Sequence, residues 1–101
     1  MTHVFHTRLR PGTEATYDTE HAEIPAELAR AMRSAGIREW RIWRDGVDVF
    51  QLVEADDFER AIVEINESGI AREWSAAIAE LIDVDVDAST GAGVAHPVWC
   101  L

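Results

Sequence analysis

Tyr17 and His21 are the two side chains whose chemistry most calls for a partner. They stand four residues apart in a stretch with helical periodicity, and i, i+4 neighbours lie one above the other on a helix. The series Tyr17, His21, Ile24, Leu28, Ala31 and Ala35 continues the same stripe, which reads as the inward face. A phenol and an imidazole aimed at an interior each carry a polar atom whose desolvation must be offset by a hydrogen bond, from the protein or from a ligand. Imidazole as a residue type both gives and accepts protons near neutral pH, and a phenol one turn away can orient a hydroxyl. Two readings fit this spacing: an acid–base pair at a site, or a satisfied structural histidine beside a core tyrosine.

The other aromatic groups able to meet a ligand are Trp40, Trp43, Trp74 and Trp99, four tryptophans against three phenylalanines and one tyrosine. Indole faces stack on flat or cyclic ligands, including the C–H faces of sugars, and each ring offers one N–H donor. Trp74 on a helix stripe and Trp43 on a strand also read as core packing. His3 and His6 have the look of a metal pair, but on a strand residues three apart project to opposite faces. Asp83, Asp85 and Asp87 resemble the opening of a calcium loop, yet Ala88 stands where glycine is expected and Val94 where the closing glutamate belongs. No phosphate-cradling glycine loop, nucleophile elbow or dinucleotide fingerprint is present. What remains is acid–base chemistry that needs neither metal nor cofactor.

These residues must be positioned by a small number of elements. Residues 3–9 are rich in β-formers and end at Pro11-Gly12, which marks a first strand and a turn. The pattern predicts a helix from an N-cap at Thr13 to about Ser34, closed by Gly36 and interrupted by Pro25, which withholds an N–H from the carbonyl of His21. Strands at 37–44 and 47–54 flank an Asp45-Gly46 hairpin signal. Asp56 is the expected cap of a helix with Glu59 at the capping-box position, and a further helix after Ser68-Gly69 carries the stripe Ile70, Trp74, Ala77, Ile78 and Leu81. The acidic stretch 83–93 reads as a loop, and residues 94–101 read as a final strand placed at an edge or bulge by Pro97.

The order β-α-β-β-α-α-β fits an α+β, ferredoxin-like sandwich: a four-stranded antiparallel sheet with helices on one face. Both alternating sets of the strands are apolar, Trp40 and Ile42 against Ile37 and Trp43, and Phe50 and Leu52 against Val49 and Val53. A sheet covered on one side only should have a polar second face. The expectation is therefore a homodimer that packs sheet on sheet.

Composition sets the outer bounds. A chain of 101 residues, 48% hydrophobic, fits one domain spanning 1–101 with no linker or repeat. A formal charge of −10 disfavours nucleic acid and anionic membrane as partners. A single cysteine, Cys100, suits a reducing compartment, and neither a signal peptide nor an 18-residue apolar run is found, so a soluble, cytoplasmic protein is expected.

The stretch Tyr17-Asp-Thr-Glu-His21-Ala-Glu-Ile24-Pro-Ala-Glu27-Leu28 resembles the L-rhamnose mutarotase family, whose helix carries Tyr-x-x-x-His followed by Ile, Glu and Leu at these offsets. The likeness extends through the aromatic strand Trp40-Arg-Ile-Trp43-Arg-Asp45, the strand ending Val53-Glu54, the Arg72-Glu73-Trp74 helix and an aromatic C-terminal segment. The resemblance implies a dimeric α+β barrel that interconverts the α and β anomers of a 6-deoxyhexose, L-rhamnose foremost, without metal or cofactor. It implies His21 as the proton donor and Tyr17, Trp40, Trp74 and Ser75 as the positions that meet the sugar. Three departures stand out. The family's Asn-Pro-Ile-Trp-Pro after the histidine is here Ala22-Glu23-Ile24-Pro25-Ala26, its second-strand tyrosine is matched by Trp40, and its Trp-Trp pair by Trp74-Ser75. Another sugar such as L-fucose is thereby left open. Two alternatives go with the same architecture: a cofactor-independent oxygenase of the dimeric α+β-barrel type, and a non-catalytic sugar-binding module.

Overall fold

Along the first strand, Phe5, Thr7 and Leu9 are buried while Val4, His6 and Arg8 are exposed, the period-two pattern of a half-buried strand. The computed structural model describes residues 2–84, 95, 97–99 and 101, and this strand, β1, spans Thr2–Leu9. It is followed by α1 (Glu14–Ala22), α2 (Ala26–Ser34), β2 (Ile37–Asp45), β3 (Asp48–Ala55), α3 (Phe58–Asn66), α4 (Gly69–Ala79) and β4 (Ile82–Val84). The sheet order is β2-β3-β1-β4, with each neighbouring pair antiparallel. This is the ferredoxin-like α+β arrangement expected from the element order, with the helices on one face.

The expected helix at 13–34 is two helices. Proline has no N–H for the carbonyl of His21 and biases the residue before it away from the helical region. The chain leaves α1 at Glu23 (φ −141°, ψ 98°), and Pro25 (φ −53°, ψ 132°) becomes the N-cap of α2 instead of an interior residue. Its carbonyl accepts the first bond of the new helix from Ala29 at 3.1 Å. Thr13 does stand at the cap of α1, but its hydroxyl donates to the carbonyl of Arg10 at 2.7 Å and makes no cap bond. Gly36, at φ 96°, supplies the left-handed residue after α2.

Two further boundaries shift by one residue. The hairpin turn is Gly46-Val47, not Asp45-Gly46, because Asp45 still pairs with Asp48; positive φ is needed only at Gly46 (59°). The cap of α3 is Asp57, whose carboxylate accepts from the backbone N–H of Arg60 at 3.2 Å, so Glu59 is not in the capping-box position. On α4 the buried residue is Ala71, and Ala77 of the expected stripe is exposed. A strand forms at Ile82–Val84, overlapping the stretch read as a loop: Ile82 and Val84 take the register of Leu9 and Arg8 across a bulge. Residues 85–94 lie outside the described residues, as do 96 and 100, and with them Asp85, Asp87, Cys100 and much of the strand expected at 94–101. Within that segment Ala95 donates to the carbonyl of Val4 at 2.8 Å, and residues 97–99 are exposed and outside any strand.

The core lies between the sheet and the helices. Phe5 and Val53 of the sheet pack with Leu28 of α2, Phe58 and Ile65 of α3 and Ala71 of α4. A second cluster joins Leu9 and Val49 to Tyr17, the buried residue of α1. A bulge in β2 sets which aromatic groups face this core. Ile37 pairs with Ala55 but Trp40 pairs with Val53, so three steps along β2 match two along β3. The extra residue puts Ile37, Trp40 and Ile42 on the inner side together, where simple alternation had set Ile37 with Trp43. Trp43 is turned outward, 46% exposed, beside Phe50 and near Val4 on the uncovered side of the sheet. Among the described residues no helix is long and apolar enough to cross a membrane.

Candidate active site

His21 sits in the last turn of α1, and its Nδ1 lies 2.9 Å from the carbonyl oxygen of Tyr17. A carbonyl only accepts, so Nδ1 is the donor. The neutral ring then keeps its lone pair on Nε2, and the charged ring carries its second proton there. The imidazole is held between two aromatic groups: the Tyr17 ring at 4.1 Å between centroids and the Trp74 indole at 5.2 Å, nearly perpendicular. Trp74 comes from α4, one residue before Ser75, so the two helices meet across this ring.

Tyr17 is 4% exposed and packs on Leu9 and Val49. Burial, with the nearby Asp18 carboxylate second, pushes its hydroxyl up to about 12. It is therefore a phenol, not a phenolate, at neutral pH. Asp18 itself is fixed from the sheet side: Arg44 of β2 donates from Nε at 2.8 Å and Nη2 at 2.6 Å to its two oxygens, and from Nη1 to the carbonyl of Gly46 at 2.8 Å. The bidentate bond lowers the carboxyl of Asp18 from its ordinary value and raises Arg44.

Tyr17, His21, Trp40, Trp74 and Ser75, all singled out from the sequence, line one cleft of about 410 Å³ between the helices and the inner face of the sheet. That volume lies within the roughly 300–1,000 Å³ typical of small-molecule sites. The break before α2 sets Ile24 at the same cleft although it is 40% exposed. Trp43 and Trp99 do not belong to it. Trp43 faces the other side of the sheet beneath the Arg41 guanidinium, 4.9 Å from its ring, and Trp99 is 78% exposed. The four tryptophans are thus divided, two to the cleft and two elsewhere.

Gln51 and Asn66 also line the cleft and were not anticipated. For Gln51 a signal existed, since it falls in the inward set of β3 between Val49 and Val53, where a polar residue requires a partner. Its Oε1 accepts from the indole Nε1 of Trp40 at 3.0 Å. Asn66 is the last residue of α3 and carries no such pattern.

His3 and His6 lie on opposite sides of the sheet, as their spacing requires. His3 stacks on Phe58 at 4.9 Å, whereas His6 stacks on Phe50 at 5.0 Å and bonds Asp48 at 2.8 Å. Of the described residues lining the cleft, only Tyr17 and His21 ionise. The chemistry available there is proton transfer at one imidazole, within apolar and indole walls that carry a few amide and hydroxyl groups.

A curled four-stranded antiparallel sheet with a helix-walled, aromatic cleft over its inner face defines a ferredoxin-like α+β protein whose cleft has the size of a small-molecule site. Residues 2–100 match the L-rhamnose mutarotase family as a whole. An L-rhamnose mutarotase of Burkholderia orbicola is 34% identical over 85 residues, covering 82% of this chain and 81% of the relative. The chain belongs to the L-rhamnose mutarotase family. Among solved structures, an L-rhamnose mutarotase from Formosa agariphila superposes with a TM-score of 0.74 at 16% identity, covering 100% of this chain and 98% of the other. A putative antibiotic biosynthesis monooxygenase from Bordetella bronchiseptica superposes with a TM-score of 0.68 at 17% identity, covering 99% and 96%. These structural likenesses speak to the fold. The family match does not favour the oxygenase or the non-catalytic reading.

Proposed function

We propose that the protein is an aldose 1-epimerase that interconverts the α and β anomers of L-rhamnose, with His21 as its proton donor. The observation that carries the role of His21 is its bond to the Tyr17 carbonyl, which commits Nδ1 as a donor and leaves Nε2 for the ligand. Protonated Nε2 gives its proton to the ring oxygen of the pyranose while the anomeric hydroxyl loses one. The C1–ring oxygen bond breaks, the carbonyl forms, the C1–C2 bond rotates and the ring recloses on the other face. Closure returns the proton to His21, so no atom is gained or lost. No carboxylate among the described lining residues can take the anomeric proton, and Tyr17 stays neutral. Water in the cleft is the proposed acceptor.

Tyr17 donates to a sugar oxygen, the indoles of Trp40 and Trp74 cover the C–H faces of the ring, and Ser75 offers a hydroxyl where the family has a second indole. The exposed apolar residues Val4, Trp43 and Phe50 on the uncovered sheet face support a homodimer joined there. One cysteine, and no described helix able to cross a membrane, support a cytoplasmic location. The test is anomeric exchange by NMR saturation transfer across L-rhamnose, L-fucose and other aldoses. Wild type should accelerate L-rhamnose above buffer, and His21→Ala should not. Equal rates for the two proteins would sink the reading.

A further inference from the structure

The floor of the cleft holds a carboxamide whose orientation is fixed by chemistry. Gln51 stands on the inner side of β3, with Ile42 of β2 and Phe5 of β1 beside it in register. Trp40 pairs with Val53, two residues further along, so its indole reaches Gln51 on the diagonal. Gln51 faces inward by alternation with Val49 and Val53, and the β2 bulge turns Trp40 to the same side. Indole Nε1–H is a donor only, so the atom it meets at 3.0 Å has to be the carboxamide oxygen. The amide nitrogen is consequently turned the other way, with two N–H donors to place.

Neither flanking side chain in the sheet can accept them, since Ile42 and Phe5 are apolar. Nor is the nitrogen sealed in the core: among the described residues, the buried side-chain polar atom left without a partner is Nδ1 of His3. The space above Gln51 is the cleft that His21 and Tyr17 reach from α1 and Trp74 and Ser75 from α4. A donor pair on the floor therefore approaches a ligand from a third direction.

We propose that Gln51 is a specificity-determining residue whose amide N–H groups bond a hydroxyl oxygen of the sugar, and that Trp40 acts as a positioning residue holding that amide in place. This rests on the anomerase reading of the cleft. It gives Trp40 a role that its tyrosine counterpart in the family does not share in the same form: the indole spends its one donor on the protein, and the polar contact to the sugar passes to Gln51. A site built to bond a hydroxyl discriminates against an analogue lacking it, because the buried donor is then left unpaired.

The experiment measures anomeric exchange of L-rhamnose and of analogues each lacking one ring hydroxyl, with wild type, Gln51→Met and Trp40→Phe. In wild type, removal of one particular hydroxyl should cost about tenfold at low sugar concentration. In Gln51→Met that penalty should vanish while the penalties at other positions persist, and Trp40→Phe should weaken it by raising KM with kcat little changed. Gln51→Glu keeps an acceptor for the indole but has no N–H to offer; it decides the matter by the same comparison if Gln51→Met does not fold. An unchanged pattern of penalties in the folded variants overturns the proposal and leaves the anomerase reading standing. A wild type that neither exchanges nor binds any of these sugars overturns both.

Discussion

His21 and Tyr17 owe their juxtaposition to four residues of spacing, and their chemistry to what surrounds them. The imidazole is clamped between a phenol and an indole and tied to a backbone carbonyl, while the phenol is held neutral by burial. Replacing His21 by Ala should lower anomeric exchange by about 10²- to 10⁴-fold, the usual contribution of general acid–base catalysis. Circular dichroism should show the fold retained, because the ring lies at the cleft and outside the two core clusters. Tyr17 is the one tyrosine in the chain, so its ionisation can be read directly in the tyrosinate absorption band. The folded midpoint should lie at about 12, against about 10 for the unfolded chain. Since the folded value is the higher, the stability tied to the neutral phenol is complete below about pH 10 and is lost as pH rises toward 12. A folded midpoint at the ordinary value would show that the phenol is not buried. Both residues were legible in the sequence, because i, i+4 spacing on an apolar stripe survives any error in helix ends. Gln51 was legible only as a polar residue in an inward set, and its partner, two strand positions away on another strand, was not.

At the scale of elements, α1 is held by a buried ring on one side and by a forked ion pair on the other. Asp18→Asn removes the charge that Arg44 grips. Amide exchange should then quicken in α1 more than in α3 or α4, and sugar affinity should fall as His21 loses its fixed position. Acidification should do the same by titration. The Asp18 carboxyl is lowered in the folded state, so its contribution is present above the ordinary carboxylate range and is lost as pH falls through the folded value. Further along the chain, Asp57→Ala strips the cap from α3 and should cost about 1 kcal/mol in urea denaturation. Equal midpoints for that variant and wild type would show the cap to be idle. The first three strands and the helical stretches were legible here from periodicity, β4 was not, and the ends were decided by particular atoms. Pro25 was visible as a disturbance of one helix, but only the extended backbone at Glu23 reveals that it starts another. Asp56 and Asp57 are equally good caps on paper; the carboxylate that reaches the Arg60 N–H settles the choice.

For the whole molecule, the uncovered sheet face is where the chain should meet its copy. Trp43 and Phe50 lie side by side in register, flanked by His6 bonded to Asp48 and by Arg41 over the indole. Phe50→Glu should convert the dimer to monomer in sedimentation equilibrium, and because each copy carries a charge of −10, rising salt should favour association of the wild type. A monomeric wild type at all concentrations would refute the dimer. The presence of two apolar faces was legible from the strands, but their membership was not, for alternation counted from Ile37 assigns Trp43 to the wrong side. The one extra residue in β2 makes that assignment, and it makes chain length at this point matter as much as side-chain identity. Deleting Arg38 or Glu39 would straighten the strand, with Ile37 opposite Ala55 and Trp40 still opposite Val53, whereas pairing both residues as a regular ladder would turn the rest of the strand over, carrying Trp40 and Ile42 to the outside and Arg41 and Trp43 within. A shorter strand without the bulge keeps the ligand's floor in place; the full-length strand without it would exchange that floor for the partner's surface.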